Sequence, residues 1–136
     1  MDSNIIFASL IKKSTTRMII ASSDIDFIAP EWVHTELREH VSELARKARL
    51  SEDELEHFID EIFQIVHTVP LDEYEDFLAE ALEIMSEIDP DDAPFLAVAL
   101  ATGADAIWTN DGHFLEQDRV KIVSTRDLLK MLESQD

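Results

Sequence analysis

The sequence predicts an α/β domain in which short parallel strands lie between layers of helices. Short apolar runs alternate along the chain with longer stretches that have helical periodicity. These runs are short and mainly apolar, as is typical of strands buried in a parallel sheet. The 136 residues are enough for one substantial core, so we expect residues 1–136 to form a single domain.

The amino-terminal half is predicted to hold three helices and one strand. In order, they span residues 4–11 (helix), 17–21 (helix), 25–29 (strand) and 31–49 (helix). Ser14, Thr15 or Thr16 can cap the second helix, and Pro30 both ends the strand and suits the first turn of the third helix. The strand alternates apolar and polar residues, whereas the long helix repeats apolar residues at helical spacing.

The carboxy-terminal half continues the alternation of helices and strands. In order, we predict a helix after Ser51, a strand over 66–69, a helix that Asp72 opens, a helix over 93–101, strands over 106–109 and 120–123, and a helix over 126–132. Ser51 and Glu54 have the spacing of a capping box, and Ser124 or Thr125 can cap the last helix. The helix over 93–101 is apolar on nearly all sides, which predicts burial, and Gly103 suits its carboxy-terminal cap.

The composition excludes several kinds of site. The chain has no Cys, which excludes disulfides and thiolate metal sites, and only two Gly, which argues against a glycine-rich phosphate loop. No apolar run is long enough to cross a bilayer, and no basic segment of a signal peptide follows Met1, so we expect a cytoplasmic protein. The net charge of −19 argues against a broad nucleic-acid-binding face.

The 11 basic residues are unevenly distributed. They fall into two blocks, with none between Leu50 and Asp118. This distribution predicts one face that tolerates phosphate, or else ordinary solvated helix faces.

Four acids occupy informative positions in the predicted fold. Asp111 follows the strand over 106–109, at the edge of a parallel sheet where ligands bind. Asp92 opens the apolar helix, Glu36 lies beside the buried stripe of the long helix, and Asp2 is close to the start of the chain. Taken singly, each has a simpler structural explanation, such as a helix cap at Asp92 or a turn at Asp111.

The order of these acids resembles that of the PIN-domain family of metal-dependent ribonucleases, which includes the VapC-type toxins. The resemblance covers nearly the whole chain. Its motifs are Asp2-Ser3-Asn4-Ile5-Ile6, Pro30 to Leu37 with its acid at Glu36, Asp92 to Ala99, and Thr109-Asn110-Asp111 followed by His113-Phe114.

The resemblance implies a three-layer α/β/α fold, a metal site and an RNA substrate. The fold would contain a parallel sheet of about five strands in the order 3-2-1-4-5. The catalytic acids, which would also bind Mg²⁺ or Mn²⁺, are Asp2, Glu36, Asp92 and Asp111; Asp89 and Asp91 are alternatives to Asp92. Asn4 and Thr109 would orient the carboxylates. Candidate RNA contacts are Lys12, Lys13, Arg17, Arg46, Lys47, Arg49 and His113. The resemblance also implies a homodimer and a small antitoxin as partner.

Hard divalent cations prefer oxygen ligands, which agrees with a site built from carboxylates. The family's first acid ends a strand of several residues, whereas only Met1 precedes Asp2 in this sequence. We therefore expect either a metal-dependent ribonuclease or a weakly active or inactive PIN-like module that binds nucleic acid or protein. A receiver-like phosphoacceptor domain is disfavoured, because Asp2 is followed by Ser3 rather than by a second acid.

Overall fold

The computed structural model describes residues 1–10, 14–22 and 24–134. The helices are α1 (Ser3–Ser9), α2 (Thr15–Ser22), α3 (Glu31–Glu39), α4 (Val41–Ala48), α5 (Glu52–Ile65), α6 (Leu71–Met85), α7 (Ala93–Thr102) and α8 (Thr125–Glu133). The strands are β1 (Ile28–Pro30), β2 (His67–Val69), β3 (Ile107–Trp108) and β4 (Ile122–Val123). Two 3₁₀ segments, Pro90–Asp92 and Gly112–Glu116, complete the described elements.

The strands form two separate parallel pairs, β1 with β2 and β3 with β4. Met1 and Asp2 lie between the pairs: the Met1 amino group donates to the carbonyl of Ile28 at 3.3 Å, and the Asp2 amide donates to the carbonyl of Trp108 at 3.2 Å. The predicted α/β class with parallel strands is confirmed. The predicted five-stranded sheet in the order 3-2-1-4-5 is not, because in the described residues only these two bonds join the pairs.

All four strands are bounded differently from the prediction, and two elements differ most. The single helix expected over 31–49 is two helices, because the chain leaves helical geometry at His40, with φ −112° and ψ 23°. The strand expected over 25–29 begins only at Ile28 and includes Pro30. It is displaced because its pairing partner, β2, begins at His67, which lies opposite Ile28.

Helix α7 is the buried centre of the fold, as its composition predicts. Six of its ten residues are buried, and it packs mainly against α6. It ends at Gly103, whose φ of 65° lies in the left-handed region that glycine adopts without strain. Its amino terminus directly follows the first 3₁₀ segment, Pro90–Asp92, whose last residue is Asp92.

Capping interactions fix the ends of several helices. Ser51 and Glu54 form the predicted capping box, with the Glu54 amide 3.1 Å from Ser51 Oγ. Ser124 and Asp127 form another at the start of α8. Within the described part of the chain, no helix combines the length and the apolar composition needed to cross a bilayer.

Candidate metal centre

Asp2 is buried and held by hydrogen bonds to both of its carboxylate oxygens. It precedes α1 as the helix cap, and Oδ1 accepts from the Ile5 amide at 2.9 Å. The Thr109 hydroxyl donates to Oδ2. Only 4% of the Asp2 surface is exposed. The carboxylate is therefore fixed where the start of the chain passes the end of β3.

Thr109 connects Asp2 to the loop that carries Asp111. Its hydroxyl also accepts from the Asp111 amide at 2.9 Å, and its own amide donates to the Val123 carbonyl at 3.0 Å. Asp111 then caps the following 3₁₀ segment, because its Oδ1 accepts from the His113 amide at 2.9 Å. The buried Thr109 hydroxyl thus sets the positions of two acids that are 109 residues apart in the sequence.

Asp92 precedes α7, but its carboxylate makes no capping hydrogen bond. Its Oδ2 is buried and has no hydrogen-bond partner among the described residues. Burial raises the pKa of Asp92 to about 6, and the negative charges of neighbouring carboxylates add to this effect. These neighbours are, in decreasing order of effect, Asp89, Asp111 and Asp2. Asp92 therefore lies within electrostatic reach of Asp2 and Asp111.

Asp89 and His113 lie beside Asp92. One ligand atom from each of these three side chains lies within 4.8 Å of the other two. His113 Nδ1 is 3.3 Å from Asp111 Oδ1 and 3.8 Å from Asp89 Oδ2. The His113 imidazole, when protonated, lowers the pKa of Asp92 and so opposes the carboxylates.

Sequence reasoning did not group Asp89 with His113. It treated Asp89 as an alternative to Asp92 and His113 as an RNA contact. The two residues meet because the loop after β3 folds against the turn before α7, a contact that no local pattern encodes. The available signal was the position of His113 two residues after Asp111 in a turn sequence.

Glu36 and Asn4 lie in an adjoining groove. Both are exposed, and both line a cavity of about 480 Å³ together with residues of α1 and α4, including Phe7 and Lys47. Ser3 and Asn4, which follow Asp2 in the chain, line this groove, whereas Asp2, Asp92 and Asp111 do not. Glu36 is not among the charges that shift the pKa of Asp92. The structure thus brings Asp2, Asp92 and Asp111 together and places Glu36 at one side.

Two of the candidate RNA contacts, Arg17 and Lys47, are engaged with other side chains. Lys12 and Lys13 lie outside the described residues. The Arg17 guanidinium stacks 4.4 Å from the centre of the Phe58 ring. Lys47 forms an ion pair with Glu43 at 3.1 Å and lines the groove of Glu36.

Two further candidate RNA contacts, Arg46 and Arg49, are exposed. Arg46 lies on the last turn of α4, and Arg49 follows that helix with a φ of 59°. Of the candidates that are described, Lys47 and His113 are the ones that adjoin the acids or their groove.

The donor set suits a hard divalent cation. Carboxylate oxygens and one imidazole nitrogen are ligands that Mg²⁺ and Mn²⁺ accept. A cation would also give the buried Asp92 Oδ2 a partner and relieve the repulsion that raises the Asp92 pKa. The arrangement therefore meets both the chemical and the electrostatic requirement of such a site.

Comparison with known families agrees with this geometry. A family model described as the PIN domain matches residues 1–133, which include every acid of the candidate centre. No curated protein and no solved structure matches the chain. On the strength of a match that spans nearly all of its residues, the chain belongs to the PIN-domain family.

Proposed function

We propose that the protein is an endoribonuclease that uses Mg²⁺ or Mn²⁺ to hydrolyse phosphodiester bonds in RNA. PIN domains are generally nucleases. The observation that carries the proposal is the buried Asp92 oxygen without a hydrogen-bond partner, set among the carboxylates that raise its pKa. A structural carboxylate would be expected to have hydrogen-bond donors, because an unpaired buried polar group is costly.

Asp92, Asp111 and Asp2 are the residues that we assign to the metal ion, with Asp89 and His113 as additional ligands beside Asp92. Glu36 would contribute from the adjoining groove, either through a water or after movement of α3. A bound divalent ion would supply the Lewis acidity that activates water and polarises the phosphodiester.

The roles of the chain's own groups follow from their contacts. Asp92 must be deprotonated to act as a ligand, and its pKa of about 6 leaves it mostly ionised at neutral pH. The Thr109 hydroxyl orients Asp2 by donating to Oδ2 and holds the Asp111 backbone by accepting from its amide. Lys47 lines the groove and would contact a phosphate of the substrate.

The same proposal includes a single sheet in which Met1 and Asp2 belong to the middle strand. The order would be β2, β1, the strand of Met1 and Asp2, β3 and β4. The two backbone hydrogen bonds from Met1 and Asp2 to the two strand pairs support it. This arrangement would keep Asp2 beside Thr109 at the carboxyl ends of the strands, where ligands bind in parallel sheets.

A test is cleavage of a labelled single-stranded RNA with added Mg²⁺ or Mn²⁺. We expect Asp92→Asn and Asp111→Asn each to lower the cleavage rate by at least about 100-fold, because each removes a negatively charged ligand. Asp91→Asn is the matched control, since Asp91 is exposed and adjacent in the chain. Cleavage that persists in excess EDTA or survives both substitutions would contradict the proposal.

A second candidate function is a PIN-like module that binds RNA or a protein without cleaving RNA. The exposed position of Glu36 and its absence from the charges that act on Asp92 favour this candidate. It predicts a folded protein that shows weak metal binding by calorimetry and no cleavage. Tight metal binding that is lost in Asp92→Asn would exclude it.

A further inference from the structure

Trp32 is held by two buried aromatic residues, while part of its own ring remains exposed. It lies on the first turn of α3 and is only partly buried. Its ring packs edge-on against Phe95 of α7, with 5.6 Å between the ring centres and 64° between the planes. Its indole N–H, which can only donate, hydrogen-bonds the hydroxyl of Tyr74 in α6. Because Phe95 and Tyr74 are both buried, the core fixes the orientation of the indole.

These contacts place Trp32 beside the candidate metal centre. Phe95 lies three residues after Asp92, and residues at that spacing on a helix are neighbours, with about 5–6 Å between their Cβ atoms. Trp32 and Glu36 are likewise one turn apart on α3. Glu36 lines both the groove that contains Lys47 and an open depression beside Trp32. The two spaces therefore meet at Glu36, the residue that they share.

The depression beside Trp32 has a volume of about 460 Å³ and follows one face of α3. It is lined by Trp32, Thr35, Glu36 and Glu39, which recur at three- and four-residue spacing. None of these four residues is basic, which disfavours a phosphate, whereas the indole offers a flat apolar surface. Thr35 and Glu39 are exposed and carry oxygens that accept hydrogen bonds. The depression therefore suits a flat ring with hydrogen-bond donors at its edge.

We propose that Trp32 stacks an unpaired RNA base beside the metal centre and that Glu39 favours bases that carry an amino group. The choice of RNA as the ligand rests on the proposed function. Stacking on a protein side chain needs a base that is splayed away from its neighbours, so paired bases of a duplex are excluded. A carboxylate accepts from the amino group of cytosine, whereas uracil presents a carbonyl oxygen at the same position. Lys47, on the other side of Glu36, would contact the adjoining phosphate.

The experiment measures binding of short oligonucleotides to the full chain without cleavage. Cytosine and uracil hexamers carry methylphosphonate linkages, which are uncharged and resist hydrolysis, and EDTA is present throughout. Neither metal binding nor cleavage enters this measurement, so its failure is distinguishable from a failure of the proposed function. We expect the cytosine hexamer to quench tryptophan fluorescence and to bind at least about 5-fold more tightly than the uracil hexamer. Trp108 is only 4% exposed, so the quenching reports on Trp32.

Four variants assign the signal, with binding followed independently by the fluorescence anisotropy of labelled hexamers. Trp32→Leu keeps an apolar contact with Phe95 but removes the stacking surface, and should weaken binding of the cytosine hexamer about 10-fold. Trp32→Phe keeps a ring, and should abolish the quenching while weakening binding by less than about 3-fold. Glu39→Gln should reduce the preference for cytosine to less than about 2-fold.

Phe63→Leu is the matched control for Trp32→Leu. Phe63 is also a partly buried aromatic residue that packs on α3, where it stacks on His34, but it lines neither the depression nor the groove. This variant should bind both hexamers as the wild type does. If Trp32→Leu does not fold, the comparison of the wild type with Trp32→Phe decides, because quenching should be lost while binding persists.

Three results would overturn the proposal. The first is a cytosine hexamer that does not quench Trp32 in the wild type. The second is a folded Trp32→Leu variant that binds as tightly as the wild type, or a Phe63→Leu variant that loses as much affinity. The third is a preference for cytosine that is absent from the wild type or that Glu39→Gln leaves unchanged.

Discussion

Replacing Asp92 by Asn should stabilise the metal-free protein at neutral pH. The rise of the Asp92 pKa from 3.8 to about 6 means that its ionised form is disfavoured in the fold. The full shift corresponds to about 3 kcal/mol at pH values above both pKa values. Asp92 is only partly buried, so solvent screening reduces the expected gain to about 1–2 kcal/mol.

The gain should depend on pH in a defined direction. Because the folded state holds the Asp92 proton more tightly than the unfolded state, the free energy of unfolding of the wild type falls as pH rises from about 4 to above 6. The Asn variant lacks this dependence. The difference between the two proteins should therefore be largest at pH 7.5 and about half as large at pH 5.

The assay is urea denaturation of the metal-free wild type, Asp92→Asn and Asp91→Asn at pH 5.0 and pH 7.5. The lower limit avoids the isoelectric point near 4.3, where a protein with little net charge precipitates. Asp91→Asn should change the free energy of unfolding by less than about 0.5 kcal/mol at either pH, because Asp91 is exposed. A destabilised Asp92→Asn at pH 7.5, or a difference that does not vary with pH, would refute the electrostatic account of this site.

Three other predictions concern metal binding, the Thr109 hydroxyl and the glycine that ends α7. Adding Mn²⁺ should raise the Tm of the wild type and have little effect on Asp92→Asn, and equal shifts in differential scanning fluorimetry would contradict this. Thr109→Val should lower the free energy of unfolding by about 1–3 kcal/mol, because it leaves Asp2 Oδ2 and the Asp111 amide without their partner. Thr109→Ser keeps the hydroxyl and should retain most of the stability of the wild type. Urea denaturation of the two variants measures the difference. Gly103→Ala should lower the free energy of unfolding by about 1 kcal/mol, because Gly103 has a left-handed φ. Gly112 has no positive φ and open space around it, so Gly112→Ala should change the free energy of unfolding by less than about 0.5 kcal/mol. Equal effects of the two substitutions in thermal unfolding would be inconsistent with backbone strain.

The helices were the most predictable part of the fold, because local chemistry determines them. Ser51 and Glu54 form their capping box within a single turn, and α7 is apolar enough that burial is its only stable environment. The break at His40 was not predictable, since the apolar spacing continues across it. Both helices contact α5, and α3 also contacts β1 and β2, so the two helices follow different parts of the core.

The strands were found in the right order but with wrong lengths. Their pairing depends on partners that are distant in the sequence, so the ends of β1 are decided by β2 rather than by residues 25–27. The sequence could not predict how many backbone hydrogen bonds Met1 and Asp2 would make to the two strand pairs. Periodicity identifies a strand by its side chains, whereas the length of a ladder depends on the neighbouring backbone.

The candidate centre was predicted in part for a related reason. The acids at Asp92 and Asp111 follow recognisable elements, so their positions could be read from the order of helices and strands. The approach of His113 to Asp89 joins two loops, and the exposed side of Glu36 depends on how α3 is rotated against the core. Both depend on tertiary packing, which the order of the motifs in the sequence does not predict.

The two hydrogen bonds to the Asp2 carboxylate give this residue a double role that affects how genetic data should be interpreted. One oxygen caps α1 through the Ile5 amide, and the other accepts from Thr109. A substitution of Asp2 by a residue that cannot cap would therefore weaken the first turn of α1 and remove a charge from the centre in the same step. In a screen for inactive variants, most substitutions of Asp2 would score as strongly as those of Asp92 even if cleavage did not need its charge. Asparagine, which can still cap the helix, would separate the two causes.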